Sequence, residues 1–336
     1  MNPPVPAVDP GIAARLDAVE FVGQGLNRPE CVLCTRAGHW YSADWRGGVA
    51  HGLPDGTIRL YQGSIDGDRP LRPNGIALCA DGSFLLADLG ETAGGIFRLR
   101  RDGQVTPFLL RVEGVDLPPC NFVTQDRFGR TWITVSTRLV PRARGYNAQC
   151  NDGFIVMVDD AGARIVADGL GYTNECVLDA SGRHLFVNET FTRRLTRFRI
   201  AEDGGLSDRQ VVTDFGPGTF PDGLALDIEG SLWITSIVSN RVIRVRTDGS
   251  QTLWLEDADE AHLAQAETAW QESRMGRPHL DGIRSRRLRN ISSLAFGGPD
   301  LRTGYLGCLL GDSLGRLAMP TAGLPPVHWF YDDASR

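Results

Sequence analysis

The chain repeats one sequence pattern six times, and this repetition restricts its fold more than any other feature. Each copy has a polar residue, a short apolar strand, a turn centred on glycine and a second strand. The polar positions, here called the slot residues, are Glu30, Asn74, Asn121, Asn174, Asp222 and, in the weakest copy, Ser292. The first five lie at spacings of 44, 47, 53 and 48 residues. Paired strands at this period are typical of propeller blades.

Third strands also repeat, as "GIFRLRRDG", "RLTRFRIAEDG" and "RVIRVRTDG". Apolar and basic residues alternate in them, so one face is buried between blades and the other is wet. The sequence therefore predicts an all-β, six-bladed β-propeller that occupies residues 1–336 as one domain. Blades start near residues 29, 73, 120, 173, 221 and 291. The segments "VEFVG" and "VHWFY", near the two ends of the chain, are candidates for the strands that close the ring.

One spacing is anomalous, because 70 residues separate Asp222 from Ser292. The excess contains residues 257–274, which are rich in alanine, glutamate and glutamine and carry the one convincing helix signal. We expect a helical insertion at about residues 256–288, between blades five and six, that caps one end of the propeller. A dimer contact or a decoration without function are the alternatives.

Composition narrows the class of protein. With 336 residues, 42% hydrophobic and 23% charged, the chain is long enough to bury a large core. Its net charge of -6 argues against nucleic acid or an anionic membrane as partner. The N-terminus lacks the pattern of a signal peptide, and no stretch approaches the roughly 20 apolar residues of a membrane helix. The seven cysteines are interpreted as free thiols in a reducing cytoplasm.

The slot residues indicate a metal site. In a propeller the first strand of each blade lines the central channel, so slot residues distant in sequence meet in a ring. Glu30, Asn121, Asn174 and Asp222 would offer two carboxylates and two amide oxygens. Two converging carboxylates repel each other unless a proton or cation lies between them. Oxygen ligands suit a hard divalent cation. We expect one divalent ion, calcium first, with magnesium, manganese, iron or zinc as alternatives.

The repeated segments resemble the senescence marker protein/gluconolactonase/luciferin-regenerating-enzyme family. The most specific are "RPECVL", "NFVTQDRFGR", "FPDGLALDIEGSLW" and the stretch from Gly171 to Phe198, and the resemblance runs roughly from Pro29 to Gly315. It implies a six-bladed propeller with one central metal ion. By motif, the family's ligands fall on Glu30, Asn121, Asn174 and Asp222, the same four residues that the ring selects.

One departure from the family concerns the substrate. Members that act on sugar lactones carry Arg-x-Asn-Asp-Gly around the first asparagine, whereas this chain has Pro119 and Phe122 in place of the arginine and the aspartate. We expect Pro119, Cys120 and Phe122, together with Asn74, to contact the substrate. Asn74 is also a candidate for an extra metal ligand. An apolar wall favours a ligand with few hydroxyls, so the expected substrate is less hydroxylated than gluconolactone.

The functional expectation is a metal-dependent lactonase that acts on a small-molecule lactone. Asp222 is expected both to bind the metal and to take a proton from the attacking water. No G-x-S-x-G motif is present, which excludes the commonest serine hydrolase arrangement. Two alternatives stay open. One is a metal-dependent esterase resembling arylesterases and paraoxonases, and the other is a propeller that serves as a binding platform without catalysis.

Overall fold

Six blades, each with four antiparallel strands, form most of the computed structural model, which describes residues 3–332. Two short hairpins add Ser64–Ile65 with Arg69–Pro70 and Arg111–Val112 with Val115–Asp116. Blade 1 comprises Val32–Cys34, Trp40–Asp44, Gly48–Gly52 and Ile58–Gln62. Blade 2 comprises Pro73–Leu78, Phe84–Asp88, Gly95–Leu99 and Val105–Leu109. Blade 3 comprises Phe122–Gln125, Thr131–Val135, Gly153–Asp159 and Gly162–Leu170. Blade 4 comprises Thr173–Leu178, His184–Glu189, Arg194–Ile200 and Leu206–Asp214.

Blade 5 comprises Phe220–Leu226, Leu232–Ile237, Arg241–Val245 and Gln251–Leu255. Blade 6 comprises Ile291–Gly297, Thr303–Cys308 and Leu314–Ala318, with its fourth strand, Glu20–Val22, supplied by the N-terminal region. The first strands contact one another in sequence around the axis, and the first strand of blade 6 also contacts that of blade 1. The predicted six-bladed propeller is therefore confirmed.

One of the two predicted closing strands is confirmed, and the prediction of the other is wrong. Glu20–Val22 pairs antiparallel with Leu314–Ala318, with Val22 opposite Leu314. The predicted strand at residues 327–331 is instead a turn. Pro325 and Pro326 precede it and cannot donate ladder hydrogen bonds, and the edge of blade 6 is already occupied. A further strand that sequence reasoning missed, Ala7–Val8, adds in parallel to the outer edge of blade 5.

Two blades show why the Asp-x-x-Gly turns recur. In blade 5 the Asp227 carboxylate accepts hydrogen bonds from the Ser231 main-chain N–H at 2.8 Å and from Nε1 of Trp233 at 3.0 Å. In blade 3 Asp126 accepts the equivalent bond from Trp132, also at 3.0 Å. Both tryptophans are fully buried. Each aspartate thus closes its turn and satisfies the polar atom of a buried indole.

Helices are few in the described part of the chain. They are Ile12–Asp17, Glu260–Gln271 and Arg277–Asp281, with a 3₁₀ turn at Arg142–Gly145. None of those in residues 3–332 has the length and apolar run needed to cross a bilayer. The seven cysteines are all buried and free of disulfides.

The helical insertion lies between blades 5 and 6, as predicted. Glu260–Gln271 begins after Asp259, whose side chain accepts a hydrogen bond from the His262 N–H at 3.1 Å. Buried residues of the insertion, including Ala266 and Leu280, pack against a cluster of aromatic side chains from blades 3 to 5. The insertion therefore covers one end of the propeller.

One buried ion pair fastens this insertion to the blades. Arg193 and Glu267 form two parallel hydrogen bonds at 2.9 and 2.7 Å, and their side chains are 6% and 16% exposed. The Arg193 guanidinium also lies 3.6 Å from the centre of the Trp270 ring. Burial raises the pKa of Glu267, but the hydrogen bonds and charge of Arg193, together with hydrogen bonds from Gly218 and Gln271, outweigh it and leave that pKa lowered. The stabilisation is therefore present above the carboxyl's ordinary pKa of 4.5 and is lost as the pH falls below it.

We predict that Glu267→Gln lowers the free energy of unfolding by about 3 kcal/mol, because the Arg193 charge stays buried without its partner. Urea denaturation at pH 7 measures this loss. The control is Glu272→Gln, which removes a half-exposed partner of Arg274 at the end of the same helix and should cost at most about 0.5 kcal/mol. Equal losses in both variants would contradict an anchoring role for the buried pair.

Candidate metal centre and its cavity

A β-bulge lies at the slot position in four of the blades. In blade 5, Pro221 pairs with Ser236 and Leu224 with Ile234, so two residues, Asp222 and Gly223, face a single residue of the next strand. Similar register shifts flank Asn74 in blade 2, Asn174 in blade 4 and Ser292 in blade 6. A bulge redirects the side chain that it carries, and here it does so beside the propeller axis.

Gly223 explains why glycine follows the aspartate in a strand. A Cβ atom there would lie 2.5 Å from the main-chain oxygen of Ser292 and 2.6 Å from Cα of Ser293 in the next blade. Gly75, after Asn74, has the same relation to Phe122, whose Cα would be 2.6 Å away. The Asn-Gly and Asp-Gly pairs are therefore not turns at these points. They permit the first strands of neighbouring blades to approach closely.

Five slot residues line one cavity of about 400 Å³ at the end of the propeller covered by the insertion. They are Glu30, Asn74, Asn121, Asn174 and Asp222, and we call them the axial ring. Each is buried, with at most 6% of its surface exposed. The sixth slot residue, Ser292, is also buried, and its hydroxyl donates to the main-chain oxygen of Glu30 at 3.2 Å. The sequence-predicted ring thus comes together in space.

The asparagines of the ring present oxygen atoms to the cavity. Oδ1 of Asn74 and Oδ1 of Asn121 are buried without a hydrogen-bond donor among residues 3–332. Their neighbours fix the amides, since Nδ2 of Asn74 donates to the Asn121 main-chain oxygen at 3.1 Å and Nδ2 of Asn174 donates to Thr190 at 3.0 Å. Buried acceptors without donors are costly, so these oxygens are suited to a cation or to a substrate hydroxyl.

The two carboxylates of the ring destabilise each other's charge. Burial raises the pKa of Asp222 well above its usual range and the Glu30 carboxylate raises it further, while Arg28 and Arg142 act in the opposite direction. Nη2 of Arg28 lies 2.9 Å from Oε2 of Glu30. Among the described residues no group of three or more histidines, cysteines, aspartates or glutamates is arranged to hold a metal. A metal in this cavity would therefore depend on the amide oxygens as well as on both carboxylates.

A second set of residues, which sequence reasoning missed, holds the bulge of Asp222 in place. Nδ2 of Asn188 donates to the main-chain oxygens of Asp222 and Gly223 at 3.1 and 3.0 Å. The Thr190 hydroxyl donates to the Pro221 oxygen at 2.8 Å, and the Gly223 N–H donates to the Thr235 hydroxyl at 2.8 Å. The only sequence signal was a polar residue, Asn188, at the end of an apolar strand.

The remaining predicted substrate contacts lie outside the ring cavity, and their contact with a substrate stays a prediction. Cys120 is fully buried in the apolar core beneath the ring, and burial raises the pKa of its thiol to about 12. Pro119 is buried beside Gly94, where a Cβ atom would lie 2.5 Å from its Cα. Phe122 lines a different, mainly apolar cavity of about 360 Å³ on the channel. Of the four predicted contacts, only Asn74 lies among the described residues that line the ring cavity.

The local backbone differs among these positions. Phe122 begins the first strand of blade 3, whose side chains alternate between its two sides, whereas Pro119 and Cys120 precede that strand. The expectation of a less hydroxylated substrate rested on the apolar wall that Phe122 would form. Phe122 lines the other cavity, so this expectation stays a prediction.

Arginines and aromatic rings form much of the remaining wall, beside aliphatic side chains such as Ile237 and Leu309. Arg28, Arg72, Arg142 and Arg277 line it, with Trp45, Tyr146, Tyr172 and Phe191. Arg142 and Tyr146 belong to the segment between the second and third strands of blade 3, and Arg277 belongs to the insertion. The spacing of 53 residues between Asn121 and Asn174, the longest among the first five slot residues, was the sequence signal for the extra segment in blade 3.

The fold and the axial ring define a six-bladed propeller with a buried polar centre at one end of its channel. The sequence pattern described as "SMP-30/Gluconolactonase/LRE-like region" matches residues 68–255, and the chain belongs to this family. A 6-deoxy-6-sulfogluconolactonase of Pseudomonas putida is 28% identical over 272 residues, which span 79% of this chain and 77% of that protein.

Two solved structures share the fold. A gluconolactonase from Xanthomonas campestris superposes with a TM-score of 0.64 at 20% identity, over 95% of this chain and 96% of that one. Regucalcin from Agrobacterium tumefaciens, described as a calcium-binding protein, superposes with a TM-score of 0.63 at 16% identity, over 95% of this chain and 98% of that one. At these identities the likeness establishes the architecture.

We predict that Asn188→Leu lowers the free energy of unfolding by about 1–3 kcal/mol, because two buried carbonyl oxygens lose their donor. Thermal or urea denaturation measures the change. Asn151→Leu, at an exposed position, is the control and should change stability by at most about 0.5 kcal/mol. If Asn188→Leu is as stable as wild type, its amide does not support the bulge.

Proposed function

We propose that this protein is a metal-dependent lactonase. The observation that carries the proposal is the axial ring, in which two carboxylates and three asparagine side chains converge on one buried cavity. Membership of the family and the relative named as a 6-deoxy-6-sulfogluconolactonase support the reaction class. The calcium-binding description of regucalcin supports a divalent ion.

Glu30, Asn121, Asn174 and Asp222 are the residues that would hold the ion, with Asn74 beside them. These residues fit a metal ion, because all their candidate ligand atoms are oxygens. The buried Oδ1 of Asn121 also accepts no hydrogen bond from the described residues. Calcium accepts such carboxylate and amide oxygens, and magnesium, manganese, iron or zinc are alternatives. When bound, the ion would polarise the lactone carbonyl and stabilise negative charge on its oxygen.

The protein's own residues supply the proton transfers. Asp222 takes a proton from water as that water attacks the carbonyl carbon of the lactone. It returns the proton to the ester oxygen of the lactone as the acyl C–O bond breaks. One water is consumed and a hydroxy acid results. The amides of Asn121 and Asn174 add no negative charge to the site. The aromatic wall of Tyr146, Tyr172 and Phe191 limits the access of bulk water to the reacting bond.

The arginines of the cavity argue for a polar substrate. Guanidinium groups donate several hydrogen bonds, so a lactone with hydroxyl or charged substituents finds partners that an apolar wall lacks. The less hydroxylated lactone that the sequence predicts is the alternative, and a panel of lactones distinguishes the two.

We predict that Asp222→Asn lowers kcat/KM by about 10²–10⁴-fold, the contribution typical of a general base. Acid release from a panel of lactones, assayed with and without EDTA, measures the activity. Metal analysis of the purified protein accompanies it. The matched control is Asp248→Asn at an exposed turn, which should retain wild-type activity. Glu30→Gln should lose activity that excess metal partly restores.

Other outcomes discriminate between the alternative functions. Full activity after EDTA treatment, or in Asp222→Asn, would overturn the mechanism. A clear preference for phenyl acetate or an organophosphate over every lactone would identify an arylesterase-like enzyme. A protein without bound metal and without activity on any ester would be a binding platform.

A further inference from the structure

The arginines around the ring cavity differ in whether they form a direct ion pair. Four arginines line it, against the three carboxylates of Glu30, Glu91 and Asp222. Arg28 pairs with Glu30 at 2.9 Å, and Arg72 lies 3.4 Å from Glu91.

The two remaining arginines differ in whether a carboxylate pairs with them. Arg277 makes two bonds to Asp281 at 3.0 and 2.6 Å. Arg142 forms no ion pair with a carboxylate in residues 3–332. Among the four arginines of the cavity wall, Arg142 is therefore the one without a carboxylate partner among the described residues.

Arg142 is nevertheless held firmly. Its Nε donates to the Tyr172 hydroxyl at 2.7 Å, and its Nη2 lies 3.4 Å from the Ser136 hydroxyl. Both partners are buried, and the guanidinium lies over the Tyr172 ring, 5.5 Å from its centre. Nη1 makes no hydrogen bond to a described residue. The guanidinium is thus positioned by neutral groups, and its remaining N–H donors are left for a ligand in the cavity.

A positioned arginine without a counterion selects a particular ligand chemistry. Guanidinium groups bind sulfonate, phosphate and carboxylate oxygens through two parallel hydrogen bonds, and these bonds strengthen as water is excluded. A neutral polyol would leave the Arg142 guanidinium without a direct ion-pair partner, with only the longer-range attraction of Glu30 and Asp222 to offset its charge. A divalent ion on the ring would make the cavity still more positive.

We propose that Arg142 forms an anion subsite, which recognises a negatively charged oxyanion substituent on the substrate at a point away from the lactone carbonyl. This inference rests on the proposed lactonase function and names its substrate class, the anionic sugar lactones. The segment of blade 3 that carries Arg142 then acts as a specificity element, separate from the axial ring that performs the hydrolysis.

The test compares two lactones that differ at one substituent, glucono-δ-lactone and its 6-phosphate, with the 6-deoxy-6-sulfo compound to separate phosphate from sulfonate. Wild type is expected to favour an anionic lactone by at least about tenfold in kcat/KM. Arg142→Met should remove about 10- to 100-fold more kcat/KM from the anionic lactone than from the neutral one, because the part of its effect that passes through Asp222 is common to both lactones. Arg142→Lys should retain part of the preference. Arg144→Met, an exposed arginine on the same turn, is the control.

A binding experiment keeps this inference separate from the proposed function. Calorimetric titration of the purified protein with 6-phosphogluconate and with gluconate isolates the phosphate, since both ligands carry the same carboxylate. Tighter binding of the phosphate by about tenfold, lost in Arg142→Met, supports the subsite even if no lactone is hydrolysed. Equal binding of the two ligands by wild type would overturn it. An equal loss on neutral and anionic lactones in Arg142→Met would also overturn it, because Arg142 would then act on the shared carbonyl group.

Discussion

The close approach of the six first strands around the axis is the constraint on which the rest of the molecule depends. The Gly75 N–H donates to the main-chain oxygen of Asn121 in the next blade at 2.9 Å, and Gly223 leaves no room for a Cβ atom against Ser292. Four of the slot positions form β-bulges at this point. These bulges help to direct slot side chains into one cavity, so the packing of the first strands and the assembly of the polar centre are linked.

The electrostatics of the centre follow from its burial. Two carboxylates and three amides with at most 6% of their surface exposed cannot be solvated by bulk water, and burial together with the Glu30 charge raises the pKa of Asp222. Arg28 and Arg142 offset part of this cost. The site is therefore polarised before any ligand enters, with acceptor oxygens on the axis and guanidinium groups on the wall.

Two segments outside the repeat build the wall above the ring. One is the stretch from Ser136 to Asp152 in blade 3, which carries Arg142 and Tyr146, and the other is the insertion, which carries Arg277 and Leu280. They pack on each other through a shared aromatic cluster, and the Arg193–Glu267 pair fastens the insertion to the blades. The ring belongs to the repeated scaffold, whereas the groups that would distinguish one substrate from another belong to these additions.

The sequence by itself determined the number of blades, the position of the insertion and which slot residues meet. These features follow from a regular period and from the alternation of strand residues, both of which are local properties. Glu30, Asn121, Asn174 and Asp222 could be selected because each occupies the same point of its repeat.

Only the tertiary structure decided which residues surround these slot residues. Pro119 and Phe122 flank Asn121 in sequence, yet Phe122 lines another cavity and Pro119 is buried beside Gly94. Arg142 is 21 residues beyond Asn121 and reaches the cavity because its segment folds back over the axis. Non-periodic segments carry no register that fixes where they pack, so the wall of the cavity emerges from long-range contacts that no local pattern records.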